Sequence, residues 1–179
     1  NSTPSKDGAR TVRVRPVASD LQARYADFVE TNRATVAKLS GGRIGYMHVP
    51  DTAAQGSIEF VRGFYSQTDK DAMIVDERWN GGGYIQPWFV DTLARKMKAG
   101  IQQRNSADGA DAVAIEGPKA MLINGYAGSG GDMLPWLFKL RGVGPLIGTR
   151  TWGGLVGINN GLQLVDGGSV TAPEFGLYD

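Results

Sequence analysis

Ser129 stands among glycines in INGYAGSGGD (123–132), where an apolar segment hands over to a helical one. A serine at such a turn has two uses. It can cap the helix that follows. Alternatively, Gly128 and Gly130 permit a sharp turn that exposes the hydroxyl as a nucleophile, with main-chain N–H groups at the helix start facing a developing oxyanion. The spacing departs from the G-x-S-x-G elbow, so local sequence leaves both uses open. A second glycine cluster, NGGGY (80–84), follows another apolar segment. Without side chains, such a loop lets a backbone N–H approach a ligand closely. Two loops of this kind at adjacent strand ends could each give one donor to the same oxygen.

The remaining titratable groups read as structural. His48, the sole histidine, lies inside the apolar run GYMHVP and is expected to be a satisfied core residue rather than a general base. Asp76 and Glu77 end a buried strand beside Arg78, which suggests an ion pair more than acid–base work. No His, Asp or Glu grouping has metal-ligand spacing. Neither glycine loop matches G-x-G-x-x-G or G-x-x-x-x-G-K-[ST], and Asp132 would repel an anion at the start of its helix. No cofactor is expected.

Composition narrows the class. The chain has 179 residues, 41% apolar and 21% charged, with a formal net charge of +1. These are the proportions of one globular domain, and they point to neither nucleic acid nor an acidic membrane surface. Cysteine is absent, which removes disulfides and thiolate chemistry. No signal peptide or membrane-spanning run is present, so a cytoplasmic setting is the default expectation. Glycine is in excess, 26 residues without a repeat period, which marks tight backbone sites.

The elements that must position these loops follow from periodicity. TVRVRPV (11–17) alternates like a half-exposed strand. From Ser19, with Gln22 at capping-box spacing, Leu21, Tyr25, Phe28, Val29, Val36 and Leu39 form a helical stripe that Gly41 and Gly42 end. A strand over 43–51 is closed by Pro50, and a helix over 56–67 carries Ile58, Phe60, Val61 and Phe64. A buried strand over 71–79 leads into the glycine turn, and Pro87 opens a helix to about Lys98. Residues 99–117 read as a loop, 119–125 as a strand and 132–141 as a helix. The tail reads as strands with a turn at Asp166–Gly168. The order predicts an α/β fold: a mostly parallel sheet with right-handed β-α-β crossovers and chemistry at the carboxyl ends of the strands.

The segments GRIGYMHVPD, IVDERWNGGGY, INGYAGSGGD, IGTRTWGGLVGI and LVDGGSVTAPEFG stand in an order that resembles the tricorn-like branch of the tail-specific serine peptidase family, from about Arg24 to the C-terminus. The resemblance implies the core shared with Clp protease and crotonase folds. It implies that residues 1–18 are a linker or the end of a PDZ-like domain. Residues 19–179 would then be a catalytic core that stops before the family's acidic catalytic residue. By position, Ser129 matches the nucleophile, and the N–H groups of Gly83 and Gly130 match the oxyanion hole. Gly153, Gly154, Leu155 and Val156 would flank substrate, which adds as a strand to an exposed edge where glycines leave backbone groups accessible.

Two departures shape the expectation. Gly154 stands where many tail-specific peptidases carry a lysine base, so the histidine-based pattern is favoured. That histidine lies before the PDZ-like domain, and His48 does not match it. The residue tied to a basic P1 preference aligns near Ile101 and is not acidic. The resemblance implies peptide substrates, with a hexameric homo-oligomer as the assembly. Two other readings stand beside it: a non-catalytic assembly module of the same fold, and a crotonase-like acyl-CoA enzyme that would not need Ser129.

Overall fold

The computed structural model describes residues 4, 6–96, 100, 101, 104, 105, 110, 111, 113–159, 161 and 163–178. Along the chain run α1 (Leu21–Ser40), β1 (Ile44–His48), α2 (Ala54–Tyr65), β2 (Ala72–Asp76), α3 (Gln86–Leu93), β3 (Gly100–Ile101) and β4 (Ala110–Asp111). Then come β5 (Lys119–Ile123), α4 (Gly130–Leu140), β6 (Leu146–Gly148), β7 (Val156–Asn159) and β8 (Ala172–Gly176). Strands β1, β2, β5 and β6 make one parallel sheet in that spatial order. Helices α2, α3 and α4 fill the connections, as an α/β fold built from β-α-β units requires. Two antiparallel pairs, β3 with β4 and β7 with β8, stand apart from it.

The core follows from strand alternation. Met47, Val75, Met121 and Leu146 lie in one register row across the sheet, and the first three are fully buried. Phe60 and Phe64 of α2, Phe89 and Leu93 of α3, and Leu134 and Phe138 of α4 close over that row. Phe60 and Phe89 stack at 4.5 Å between centroids. Each such side chain stabilises by roughly 2 kcal/mol through burial. Gly63 lets α2 approach β1 closely, because a methyl there would lie 2.5 Å from Met47 Cβ. Gly41, with φ 62°, ends α1 as expected.

Several expectations shift. Residues 11–17 form no strand, and Val12, Val14 and Val17 are exposed. Alternation marks a segment able to pair, but among the described residues it pairs with no strand. The α1 stripe is buried only at Val29, while Leu21 and Leu39 face solvent. Periodicity says which side of a helix is apolar, not whether anything covers it. Helix α3 stops at Leu93 rather than near Lys98, a residue outside those described. The 99–117 stretch holds the short β3–β4 pair. The turn at Asp166–Gly168 stands as read, with Gly167 at φ 81° and its N–H on Leu164 O. Among the described residues, no helix is long and apolar enough to cross a membrane.

Candidate active site

Because β2 and β5 are parallel neighbours, with Asp76 beside Leu122, the turns that follow them emerge side by side. Asn80, fully buried, ties three segments together. Its Nδ2 donates to Val49 O at 3.0 Å, its Oδ1 accepts from Gly82 N–H at 2.8 Å, and its main-chain O accepts from Gly128 N–H at 3.1 Å. Gly82 and Gly83 take φ values of 88° and 139°, which a residue with a Cβ rarely adopts. A methyl on Gly83 would also fall within 2.8 Å of the Thr52 carbonyl and Ala53 N.

Thr52 sets the direction of the loop. Its N–H holds Gly82 O at 2.8 Å, and its carbonyl accepts from Tyr84 and Ile85 N–H at 2.9 and 3.1 Å. In a trans peptide the N–H points opposite to the C=O. The Gly83 N–H is therefore turned away from Thr52 N. Among the described residues, neither Gly83 N–H nor Gly130 N–H has a hydrogen-bond partner. A methyl on Gly130 would lie within 2.6 Å of Gly83 N, and both residues line the cavity beside Ser129, so the two amides are close neighbours there.

Ser129 occupies the N-cap position of α4 with φ 57° and ψ −114°. Ordinary N-caps sit in the β region, so capping does not account for this backbone. Such conformations cost about 1–3 kcal/mol and persist only when their surroundings impose them. Asp132 is what imposes it. Its carboxylate accepts from Ser129 N–H at 2.8 Å, from Gly153 N–H at 2.6 Å and from Gly154 N–H at 2.8 Å. It is 4% exposed, and three amide dipoles compensate its charge. Asp132 thus clamps the serine turn to the 153–154 segment. Trp152 N–H, bonded to Ala127 O at 2.9 Å, fastens the same segment again.

A cavity of about 70 Å³ opens beside Ser129, Gly83 and Gly130. Gly154, Leu155 and Val156 form one wall, with Met133, Ile158, Phe175 and Leu177 as apolar lining. Of the four residues expected to flank substrate, Gly153 does not line it. The N–H groups of Gly153 and Gly154 are already spent on Asp132, so those two amides are not the accessible backbone donors anticipated there.

The other polar residues separate cleanly. His48 Nδ1 meets Tyr25 Oη at 3.1 Å and Nε2 meets Arg78 O at 2.9 Å, and burial lowers its pKa. It lines no cavity shared with Ser129. Asp76 is paired to Arg78 through two bonds of 2.8 and 2.6 Å and accepts from Tyr46 Oη at 2.7 Å. Glu77 does not join that pair. It is fully buried, both carboxyl oxygens lack partners, and desolvation followed by the charges of Asp132 and Asp76 pushes its pKa up to about 9. Asp76 ends β2 and Glu77 follows it, so their side chains leave the strand end in different directions, which adjacency to Arg78 could not reveal.

Sequence reading missed Asn80, Thr52, Asp132 and Gln86 as parts of this site. Asp132 left a signal, since Ser129 and Asp132 have S-x-x-D spacing. Thr52 left none.

The same motifs carry the comparisons. Residues 43–179 match the family described as Peptidase family S41. The tricorn protease of Thermoplasma acidophilum is 40% identical over 161 residues, covering 89% of this chain and 15% of its own length. Tricorn protease homolog 1 of Streptomyces coelicolor is 36% identical, covering 98% of this chain and 17% of its own. The crystal structure of the tricorn protease superposes with a TM-score of 0.85 at 38% identity, over 93% of this chain and 16% of that one. The photosystem II D1 C-terminal processing protease, 21% identical with a TM-score of 0.53 over 73% of this chain and 36% of its own, shares the fold. The chain thus spans about a sixth of the length of its curated tricorn relatives. With its motifs, its sheet order and its two glycine turns all in place, the chain belongs to peptidase family S41.

Proposed function

We propose that this chain is the nucleophile-bearing core of a tricorn-like serine endopeptidase acting on short unfolded peptides. One observation carries the reading: Gly83 and Gly130, whose N–H groups have no hydrogen-bond partner among the described residues, line one cavity beside a serine held at positive φ. In this reading Ser129 Oγ attacks the scissile carbonyl carbon, and the oxygen that gains charge sits between the two amides. Donors of this kind are worth about 3 kcal/mol each in the transition state. Collapse breaks the C–N bond, the amine leaves with the proton a base took from the serine, and water releases the acyl group.

The base and its acidic partner come from outside residues 1–179. His48, the sole histidine, is committed to Tyr25 and Arg78, and Gly154 occupies the place of a lysine base. Substrate runs along the wall formed by Gly154, Leu155 and Val156, and its backbone meets the chain from Leu155 onward, since Asp132 already holds the Gly153 and Gly154 amides. In the same reading residues 1–18 belong to a linker or a PDZ-like domain, the protein works in the cytoplasm, and it assembles as a hexamer.

A fluorophosphonate applied to the full-length protein tests this directly. It is expected to label Ser129 covalently, and Ser129→Ala is expected to abolish both labelling and peptide hydrolysis. Undiminished labelling or hydrolysis in Ser129→Ala overturns the assignment.

A further inference from the structure

Gln86 opens α3 and is 1% exposed, an unusual place for a side-chain amide. Its Nε2 spends both hydrogens inside the protein, on Gly83 O and on Thr52 Oγ1 at 3.0 Å. Its Oε1 is buried and has no hydrogen-bond partner. A leucine or methionine would fill the same volume without leaving an acceptor unpaired, so packing alone does not explain a glutamine here.

Position supplies the explanation. A methyl on Gly130 would fall within 2.6 Å of Gln86 Nε2, Thr52 Oγ1 and Gly83 N. The Gln86 amide therefore occupies the space that the missing Gly130 side chain leaves, and it touches both turns at once. It grips the carbonyl of Gly83, the residue whose N–H is one of the two free donors. Thr52, its second partner, holds the preceding carbonyl, Gly82 O, at 2.8 Å. Both ends of Gly83 are thereby fixed by one connected set of hydrogen bonds, of which Gly83 and Gln86 themselves line the cavity beside Ser129.

We infer that Gln86 is a positioning residue: its amide sets the Gly83 N–H against the Gly130 N–H, so that both donors meet the oxygen that becomes negative during acyl transfer. The inference rests on the peptidase reading above. Gln86 bonds no substrate atom; it acts through the Gly83 backbone.

The test uses the full-length protein, first confirmed to hydrolyse peptides in a Ser129-dependent way. Gln86→Leu keeps the bulk and removes the donors. It is expected to lower kcat about 10- to 100-fold with KM within about twofold, because only the charged state needs aligned donors. Affinity for a peptide aldehyde, whose hemiacetal oxygen occupies the same space, should fall by the same factor. Because Gly83 O and Thr52 Oγ1 lose their donor, the melting temperature falls as well, and rates are compared per folded protein. Gln86→Glu accepts but cannot donate, so its loss is larger and shrinks as pH falls and the carboxyl takes up a proton. The inference is overturned if Gln86→Leu leaves kcat and aldehyde affinity unchanged, or raises KM alone. It is equally overturned if the loss vanishes once rates are normalised to the folded fraction. A wild-type protein without Ser129-dependent hydrolysis removes the parent reading and this one with it, which distinguishes the two failures.

Discussion

The two glycine turns at the carboxyl end of the sheet reach neighbouring positions by opposite means. In the turn after β2, Gly82 at φ 88° and Gly83 at 139° supply the positive φ around the donor, while Trp79, nearer the strand, also stands at 64°. In the turn after β5, Gly128 and Gly130 keep negative φ, and Ser129 takes 57°. There the glycines serve space: a methyl on Gly128 would press on the Trp152 ring at 2.9 Å, and one on Gly130 would strike Gln86 and Thr52. The first turn is shaped around its donor by permissive residues and carries its strained backbone at Trp79, four residues before Gly83. The other is strained at Ser129 itself and held by Asp132. Relaxed backbone suits a group that only has to point an N–H, whereas strain concentrates where a side chain must project.

The sharpest way to break this contrast is Gly83→Ala. Its methyl meets the Thr52 carbonyl, and its φ of 139° suits glycine alone, so the loop must move. We expect kcat for peptide hydrolysis by the full-length protein to fall about 100- to 1,000-fold, the worth of one lost oxyanion donor. Steady-state kinetics reads it, and wild-type turnover would show that the loop needs no glycine. Asp132→Ala comes next. It leaves three part-buried amides, on Ser129, Gly153 and Gly154, without their acceptor, and should lower unfolding free energy by about 1 to 3 kcal/mol in a denaturant titration. Unchanged stability would mean that the serine turn holds itself.

Glu77 provides a pH test on the buried floor behind both turns. Its folded pKa of about 9 lies above its ordinary value of 4.5, so the native state keeps a proton that the unfolded chain loses. Stability must therefore decline as pH rises from about 4.5 to about 9. An amide at this position carries no such proton, so Glu77→Gln should flatten that decline and gain a few kcal/mol at pH 8, visible as a higher Tm. Parallel pH profiles for the two proteins would refute it. The smallest effect sharpens the comparison directly. Ser129→Gly should be more stable than Ser129→Ala by about 1 kcal/mol, because only alanine keeps the strain. Equal melting of the two variants would show that the turn stores none.

Most of the architecture was legible because apolar alternation and glycine punctuation report directly on buried strands and on the turns between them. The helices α2 and α4, the sheet strands and the glycine stops follow from that. The failures share one cause. Val12, Val14, Leu21 and Leu39 are apolar in pattern yet exposed, because burial depends on what lies opposite in space. The candidate site divides in the same way. Gly83 and Gly130 stand out because a positive φ at one and a crowded space at the other both demand glycine, and Ser129 stands out by lying among such glycines. Asn80, Thr52 and Gln86 are common polar types whose importance arises from partners 31 to 48 residues away in sequence, as in Asn80 with Val49, Gln86 with Thr52 and Asn80 with Gly128. Glu77 was misjudged because two adjacent acids beside an arginine do not disclose that only Asp76 faces it.

The order of strands in the sheet bears on how the molecule is made. The sheet adds β1, β2, β5 and β6 in the order they are synthesised. Chains fold from the N-terminus as they emerge from the ribosome. A nascent chain that has completed β2 owns the Gly83 loop but no hydroxyl to use it, and the serine turn acquires its shape only once Asp132 has met the 153–154 segment. On the peptidase reading, hydrolytic competence therefore arrives after the sheet is built, and a half-made chain cannot digest its neighbours on the polysome.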